Sequence, residues 1–367
     1  VKNRAKLIVA CSERDADMLY ATRFFAPDDF VFIQKNGRKI ILLNDLEIDR
    51  GRREARVHRV VAMSEILKRT GKNAPFASVV AQFLKDEKVR AAEVPANFPI
   101  GLARKLKSVQ LTPAEGCIWK RRERKTPAEV QLISRALRIT ESGMARAMEV
   151  LRAAKIRTGG RLFWSGRALT SDCLRAEIDS AVLRAGGTPA NTIVAGGKQA
   201  CDPHERGSGP LRAHSLIIID VFPRDATSGY FGDMTRTVVR GRASDAQRRL
   251  WETVRKGQER ALRAMRPGAS GRVIHEAVKA FFTQRGYPTE IRKGRWTGFF
   301  HGTGHGLGLE IHEAPRFAQA RFKPGHVMTV EPGLYYAGLG GVRIEDVAVI
   351  TRDGVRLLSH FPKVLEV

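Results

Sequence analysis

The sequence predicts a two-domain protein of mixed α/β (α+β) class, and three observations carry that prediction. At 367 residues the chain is longer than one ordinary core requires, at roughly 100 to 200 residues per domain. Residues 1–125 alternate short apolar runs with stretches of helical spacing. Residues 126–367 run through one pattern twice, two helices followed by antiparallel strands, at about 120 residues per pass, which marks an internal repeat. With 43% hydrophobic and 28% charged residues the chain is not disordered. No apolar run approaches the roughly 20 residues of a spanning helix, so no membrane partner is expected.

In the first domain, residues 7–10 form a short apolar strand. Residues 28–34 and 39–43 flank Lys35-Asn36-Gly37-Arg38, and Asn-Gly between apolar runs signals a hairpin. Val61, Ile66 and Leu67 have helical spacing, as do Phe76, Val79, Val80 and Phe83. This small α/β domain carries no cluster of His, Cys and acids and is expected to shape or cover a site rather than perform chemistry. Lys120-Arg121-Arg122-Glu123-Arg124-Lys125 reads as a solvated basic connector.

The second domain opens at Thr126-Pro127-Ala128-Glu129, where Thr126 is the helix cap, Pro127 takes the first position and Glu129 stands three residues after the cap. The amphipathic helix runs to about Ala154. A second helix extends from Thr170-Ser171-Asp172 to Gly186-Gly187, and strands follow at 191–195, 215–222 and 231–240. The second pass has helices at 244–265 and 270–285, stopped by Pro267-Gly268 and Gly286, then strands at 327–334 and 342–351. A duplication of this kind brings equivalent strands together around a pseudo-twofold axis, so whatever sits on them meets in the middle.

Lys and Arg number 64 against 38 Asp and Glu, a net charge of +26. The excess is spread, with 27 basic and 15 acidic side chains in residues 1–125 and 37 and 23 in residues 126–367. Non-specific polyanion binding at low salt follows from such a charge. Specific nucleic-acid binding is not expected, because no stretch interleaves basic and aromatic residues. Cys11, Cys117, Cys173 and Cys201 form no CxxC pair, which leaves buried free thiols rather than disulfides or a thiolate zinc site. The run 7–10 is too short for a signal-peptide core, and a cytoplasmic location is expected.

Four carboxylates sit in apolar strands where core packing would not choose them. Asp220 ends Leu216-Ile217-Ile218-Ile219, and Asp233 opens Met234-Thr235-Arg236-Thr237-Val238-Val239 across a loop. Glu331 follows Val327-Met328-Thr329-Val330, and Glu345 lies within residues 342–350. Each half of the repeat contributes two acids. Burying an uncompensated ion costs several kcal/mol, so such a cluster must be protonated, paired or neutralised by metal. Histidine is at hand in His301-Gly302-Thr303-Gly304-His305-Gly306-Leu307-Gly308, whose four glycines in eight residues disfavour a helix. The same glycines give a false dinucleotide-binding match, with a weak strand before and no good helix after. What remains is a pliant backbone that lets His305 approach a metal and a peptide approach the chain. His312 and His204 are further candidates. Four carboxylates with an imidazole and no thiolate suit two divalent ions such as Mn²⁺, Co²⁺ or Zn²⁺, and two metals roughly 3.5 to 4 Å apart are a hydrolytic device.

At these residues the chain resembles the metallopeptidases of the pita-bread fold, which include methionine aminopeptidase, aminopeptidase P and Xaa-Pro dipeptidase (prolidase). The resemblance spans nearly the whole chain and implies a creatinase/prolidase-like domain over 1–125 and a catalytic pita-bread domain over 126–367. It implies that Asp220 binds one metal, that Asp233 and Glu345 bridge both, and that His305 and Glu331 complete the second site. Glu331 would also manage the proton of the nucleophile, while His204, His301 and His312 look like the substrate-side histidines. Arg343, two residues from Glu345, looks like the arginine of the proline side. Its guanidinium either grips the carboxylate of a dipeptide or offsets the acidic cluster, and both roles stay open. The interval of 13 from Asp220 to Asp233 is two longer than the 11 expected, so the hairpin tip between them should be enlarged.

The N-terminal domain argues against methionine aminopeptidase. The implied activity is hydrolysis of the bond before proline in small peptides with proline second, by a cytoplasmic homodimer holding two divalent metal ions. Xaa-Pro dipeptidase leads, aminopeptidase P on longer peptides is second, and a non-catalytic binding protein of the same fold is remote.

Overall fold

In the computed structural model, which describes residues 4–367, Asn36 and Gly37 both take positive φ, 49° and 80°. This is the left-handed pair of a tight hairpin turn. The turn joins β2 (Phe30–Lys35) to β3 (Arg38–Leu43), and β1 (Ala5–Ala10), β4 (Arg59–Ala62), β5 (Ala91–Val94) and β6 (Gln110–Pro113) complete a mixed sheet in the order β4-β3-β2-β1-β5-β6. Alternate residues of its strands face opposite layers. Leu7, Val9, Val31 and Ile33 pack with α3 (Met63–Thr70), α4 (Phe76–Asp86) and the one-turn α5 (Ile100–Ala103), whereas Ile8, Phe30, Phe32 and Ile41 pack with α1 (Ala16–Thr22) and α2 (Ile48–Glu54). Val61, expected in a helix, lies in β4, because parallel pairing opposite Leu42 overrides its spacing. The unit so formed is Val1–Lys120, and Arg121–Val367 is a second compact unit.

Thr126 caps α6 (Pro127–Ala153) in a reciprocal capping box with Glu129. A small sheet of β7 (Lys155–Ile156), β8 (Leu162–Trp164) and β9 (Arg167–Ala168) separates it from α7 (Ser171–Arg184), and β10 (Gly187–Thr188) follows. The main sheet of the first half is β11 (Ile193–Gly196), β12 (Leu216–Val221) and, beyond the short β13 (Arg224–Asp225), β14 (Met234–Val239), in the order β11-β12-β14. Ile217, Ile219 and Val221 pack against the residues of α6 and α7. Alternation therefore sends Ile218 and Asp220 to the other face. The connection between β12 and β14 makes a small turn of its own. Arg224 bridges to Phe231, and buried Asp225 holds the turn by accepting from Thr227 N and Ser228 Oγ.

The second half repeats the plan with α8 (Asp245–Ala264), α9 (Gly271–Gln284), the hairpin β15 (Glu290–Arg292) and β16 (Arg295–Thr297), and then β17 (Val327–Val330), β18 (Gly333–Tyr336), β19 (Gly340–Arg343), β20 (Asp346–Ile350) and β21 (Val355–Leu357). Two strands expected to be continuous are each broken. The run 327–334 parts at Glu331-Pro332, where Pro332 has no N–H for a ladder and the Glu331 N–H donates to Thr303 O. The run 342–351 parts at Ile344-Glu345, where the Glu345 N–H donates to Thr235 O of β14 and so links the two halves. Each break falls at one of the acids singled out above.

Two smaller expectations fail. The cysteines form no disulfide, but only Cys11 is buried and the others are partly exposed. In the basic stretch 120–125, Arg122 and Lys125 are not solvated: both are buried and ion-paired to Glu313, and Arg122 also reaches Glu310. Among the described residues no helix is long and apolar enough to cross a membrane. Glu313 faces two buried cations, so Glu313→Gln should lower stability by about 3–5 kcal/mol, the scale of breaking a buried pair. Urea denaturation of that variant checks this, and a loss within about 1 kcal/mol would mean that the cations are compensated elsewhere.

Candidate active site

Where β12, β14, the β17–β18 break and the β19–β20 break converge, five side chains meet. Ligand atoms of Asp233, His305 and Glu345 all lie within 4.8 Å of one another. His305 Nε2 is 3.6 Å from Asp233 Oδ2 and 3.3 Å from Glu331 Oε1. Asp220 joins through Arg343, whose Nη2 donates to Asp220 Oδ2 at 2.7 Å. Asp233 and Glu345 are only 4% and 2% exposed. Burial, reinforced by mutual repulsion, pushes both well above the ordinary carboxylate range, and burial raises Glu331 to about 7.

The hydrogen bonds around the cluster leave its inner atoms open. His305 Nδ1 lies 3.2 Å from Gly306 O, so the Nδ1–H points at that carbonyl and the Nε2 lone pair at the acids. Burial lowers His305 to about 4 and keeps the imidazole neutral. Thr235 Oγ1 donates to Glu345 Oε2 at 2.7 Å. The other oxygens, Glu345 Oε1 and Asp220 Oδ1, are buried without a hydrogen-bond partner among the described residues. Orphaned acceptors of this kind are costly unless something electropositive meets them. Anionic oxygens beside a neutral imidazole lone pair form a donor set for a divalent cation.

The remaining predicted residues surround this cluster in different ways. Arg343, 4% exposed, spends its nitrogens on Asp220, Thr235 Oγ1, Tyr335 Oη and Pro203 O. His301 Nδ1 donates to Gly302 O, and its Nε2, at 2.8 Å, accepts from Tyr335 Oη–H. Burial, with help from Arg343, lowers His301 to about 3, so it too is neutral. His312 lies edge-on to His305, ring centroids 4.3 Å apart. His204 is exposed, and its main-chain N–H donates to Asp202 Oδ1.

Sequence reasoning missed Tyr335 and Thr235. Strand alternation from Glu331 through Gly333 leads to Tyr335, and from Asp233 to Thr235, so the period-two signal was present. The glycines of 301–308 also serve packing. A Cβ on Gly304 would lie 2.0 Å from Thr329 O, and one on Gly308 would meet the Glu313 carboxylate. Their bareness lets the chain pack on itself.

With this geometry in place, comparison with known proteins is decisive. The model of metallopeptidase family M24 matches residues 131–352. The chain belongs to that family. The Xaa-Pro dipeptidase of Pyrococcus furiosus is 32% identical over 239 residues, 64% of this chain and 62% of that protein. The chain aligns with only 46% to 62% of the length of the first three curated relatives. The fold matches an Xaa-Pro dipeptidase from Bacillus anthracis with TM-score 0.83 and 23% identity, covering 99% of this chain and 95% of that one. It matches an X-Pro aminopeptidase from Thermotoga maritima with TM-score 0.82 and 22% identity, covering 99% and 97%. This is the pita-bread fold, and the family implies divalent metal.

Metal and protons should compete for the cluster. Raised folded-state pKa values mean that the metal-free folded protein holds more protons than the unfolded chain, so its acids lose stabilising value as pH rises from about 4.5 through about 7. Bound metal keeps the ligands ionised. The melting-temperature gap between Mn²⁺-loaded and chelated protein should therefore widen from mildly acidic to neutral pH. A constant or shrinking gap in parallel thermal scans would contradict the assignment.

Proposed function

We propose that the chain is an Xaa-Pro dipeptidase that hydrolyses the bond before proline in small peptides, using two divalent ions such as Mn²⁺, Zn²⁺ or Co²⁺. The observation that carries this reading is the buried cluster of acids around a neutral imidazole, with two carboxylate oxygens that have no hydrogen-bond partner among the described residues, in a chain of the M24 family. Asp220 would hold one ion, Asp233 and Glu345 both, and His305 with Glu331 the second. When bound, the ions polarise the scissile carbonyl and make water nucleophilic at neutral pH.

The chain's own groups would do the rest. Glu331, steadied by Thr329 Oγ1, takes the proton of the attacking water and returns it to the leaving proline nitrogen. His204 and His312 have ring nitrogens engaged in no hydrogen bond among the described residues, which leaves them for the peptide. His301 acts through Tyr335, whose hydroxyl donates its one proton to His301 Nε2 and accepts from Arg343 Nη1, which holds that guanidinium beside the cluster. Of the two roles open to Arg343, its bond to Asp220 supports the offset of acidic charge and the positioning of that ligand. The unit Val1–Lys120 stands as the creatinase/prolidase-like domain. Cysteines outside any disulfide fit a cytoplasmic location, and the homodimer rests on the family resemblance.

The second reading is an Xaa-Pro aminopeptidase, favoured by the Thermotoga maritima neighbour. Side-by-side hydrolysis of Ala-Pro and Ala-Pro-Pro decides between them. The dipeptidase reading expects the higher kcat/KM on Ala-Pro, and preference for Ala-Pro-Pro would install the aminopeptidase.

A bridging ligand also has a test independent of turnover. Glu345→Ala should lose both metals, because each half-site then keeps too little charge. Two retained equivalents by elemental analysis would remove Glu345 from the bridge.

A further inference from the structure

The hairpin of β7 and β8 takes no part in the chemistry above, yet its two faces differ sharply. Lys155 stands opposite Phe163 and Ile156 opposite Leu162, and the Arg157 N–H donates to Arg161 O. Opposed residues share a face and neighbours alternate. Lys155, Arg157, Arg161 and Phe163 therefore project to one side, with Leu162 and Trp164 on the other. Leu162 is fully buried and Trp164 packs on the same core, so the inward face anchors the hairpin. Arg212 joins the outward face through its bridge to Arg161. These residues, with the partly buried Trp164 reaching its rim, line a groove of about 970 Å³.

The outward face is unusual in having no counter-charge. Between Glu149 and Asp172 the sequence holds Arg152, Lys155, Arg157, Arg161 and Arg167 and no acid. Among the described residues Lys155, Arg157, Arg161 and Arg212 form no ion pair. Like charges facing across a ladder repel, and folding alone would gain from a carboxylate here. The expectation that no stretch interleaves basic and aromatic residues also fails, since Phe163 and Trp164 lie within this basic run.

We propose that this face binds single-stranded nucleic acid without regard to sequence, with phosphates on Lys155, Arg157, Arg161 and Arg212 and a base stacked on Phe163. A phosphodiester strand supplies anions in series, and an aromatic ring among cations supplies the stacking platform that such strands use. The groove is concave, which suits a strand better than a lipid surface. No Asn, Gln, Asp or Glu lines it, so the side chains that read base edges as amides or acids are missing.

Fluorescence anisotropy of a labelled oligothymidylate on the full, metal-loaded chain across a salt series tests this. Replacing Lys155, Arg157 and Arg161 together by Ser should weaken binding at least about tenfold at low salt and reduce the log–log salt slope by about 2, at roughly 0.7 for each phosphate left without its cation. Phe163→Ala should weaken binding about 5- to 100-fold at unchanged slope, the scale of one stacked base. Hydrolysis of the variants' peptide substrate, unchanged from the parent, verifies the fold. A control replacing Arg104, Lys105 and Lys107 by Ser that weakens binding equally would overturn the groove in favour of net charge. So would an unaffected Phe163→Ala. If the triple variant kept oligothymidylate binding but lost sedimentation with phosphatidylserine vesicles, the face would be a membrane surface instead.

Discussion

Carboxylates with a single buried guanidinium among them are a standing electrostatic problem, and the C-terminal unit is arranged around it. Taking such ions from water costs several kcal/mol each unless they are met by protons, bases or metal. Arg343 meets one oxygen of Asp220, and Thr235 meets one oxygen of Glu345. Among the described residues nothing hydrogen-bonds to the other two. The strands stop where they do because those acids must turn inward. Pro332 ends one ladder just after Glu331, and the Glu345 N–H leaves its own sheet for Thr235 O.

Adjacent acids make the contrast plain. Asp346 follows Glu345 and points to the opposite side, where Arg236, Lys363, Ser359 Oγ and Gln258 Nε2 all contact its carboxylate. Arg236 also donates to the carbonyls of Glu345, Phe361 and Pro362. Asp346 is satisfied within the fold and so serves the fold. Glu345 keeps one oxygen without a hydrogen-bond partner among the described residues, and the network behind it holds its backbone still.

Acids inside Ile- and Val-rich strands are conspicuous in a sequence, so Asp220, Asp233, Glu331 and Glu345 were legible from the order of residues alone. Helix caps were legible for the same local reason, as at Thr126 with Glu129. Features that depend on distant partners were not. Arg122 and Lys125 read as solvated because their counter-ion, Glu313, lies nearly two hundred residues away in the chain. Val61 fits a helix until β3 offers it a ladder. Tyr335 looks like any core aromatic, and only its hydroxyl, lodged between His301 and Arg343, shows its second use.

The bare backbone between His301 and Glu310 bears on mutational tolerance. Every single-nucleotide missense change at a glycine codon adds at least a Cβ, and at Gly304, Gly306 and Gly308 that atom falls within 2.5 Å of Thr329 O, Glu313 O or the Glu313 carboxylate. At Gly304 and Gly306 the obstacle is main chain, which real Cβ atoms do not approach so closely, and at Gly308 it is the buried Glu313 carboxylate, held by Arg122 and Lys125. These positions have no neutral neighbours in sequence space, although none of them donates a side chain to the chemistry. A survey of permitted substitutions would rank them beside the ligands themselves, and intolerance in this segment records how closely two pieces of main chain lie rather than which residues touch substrate.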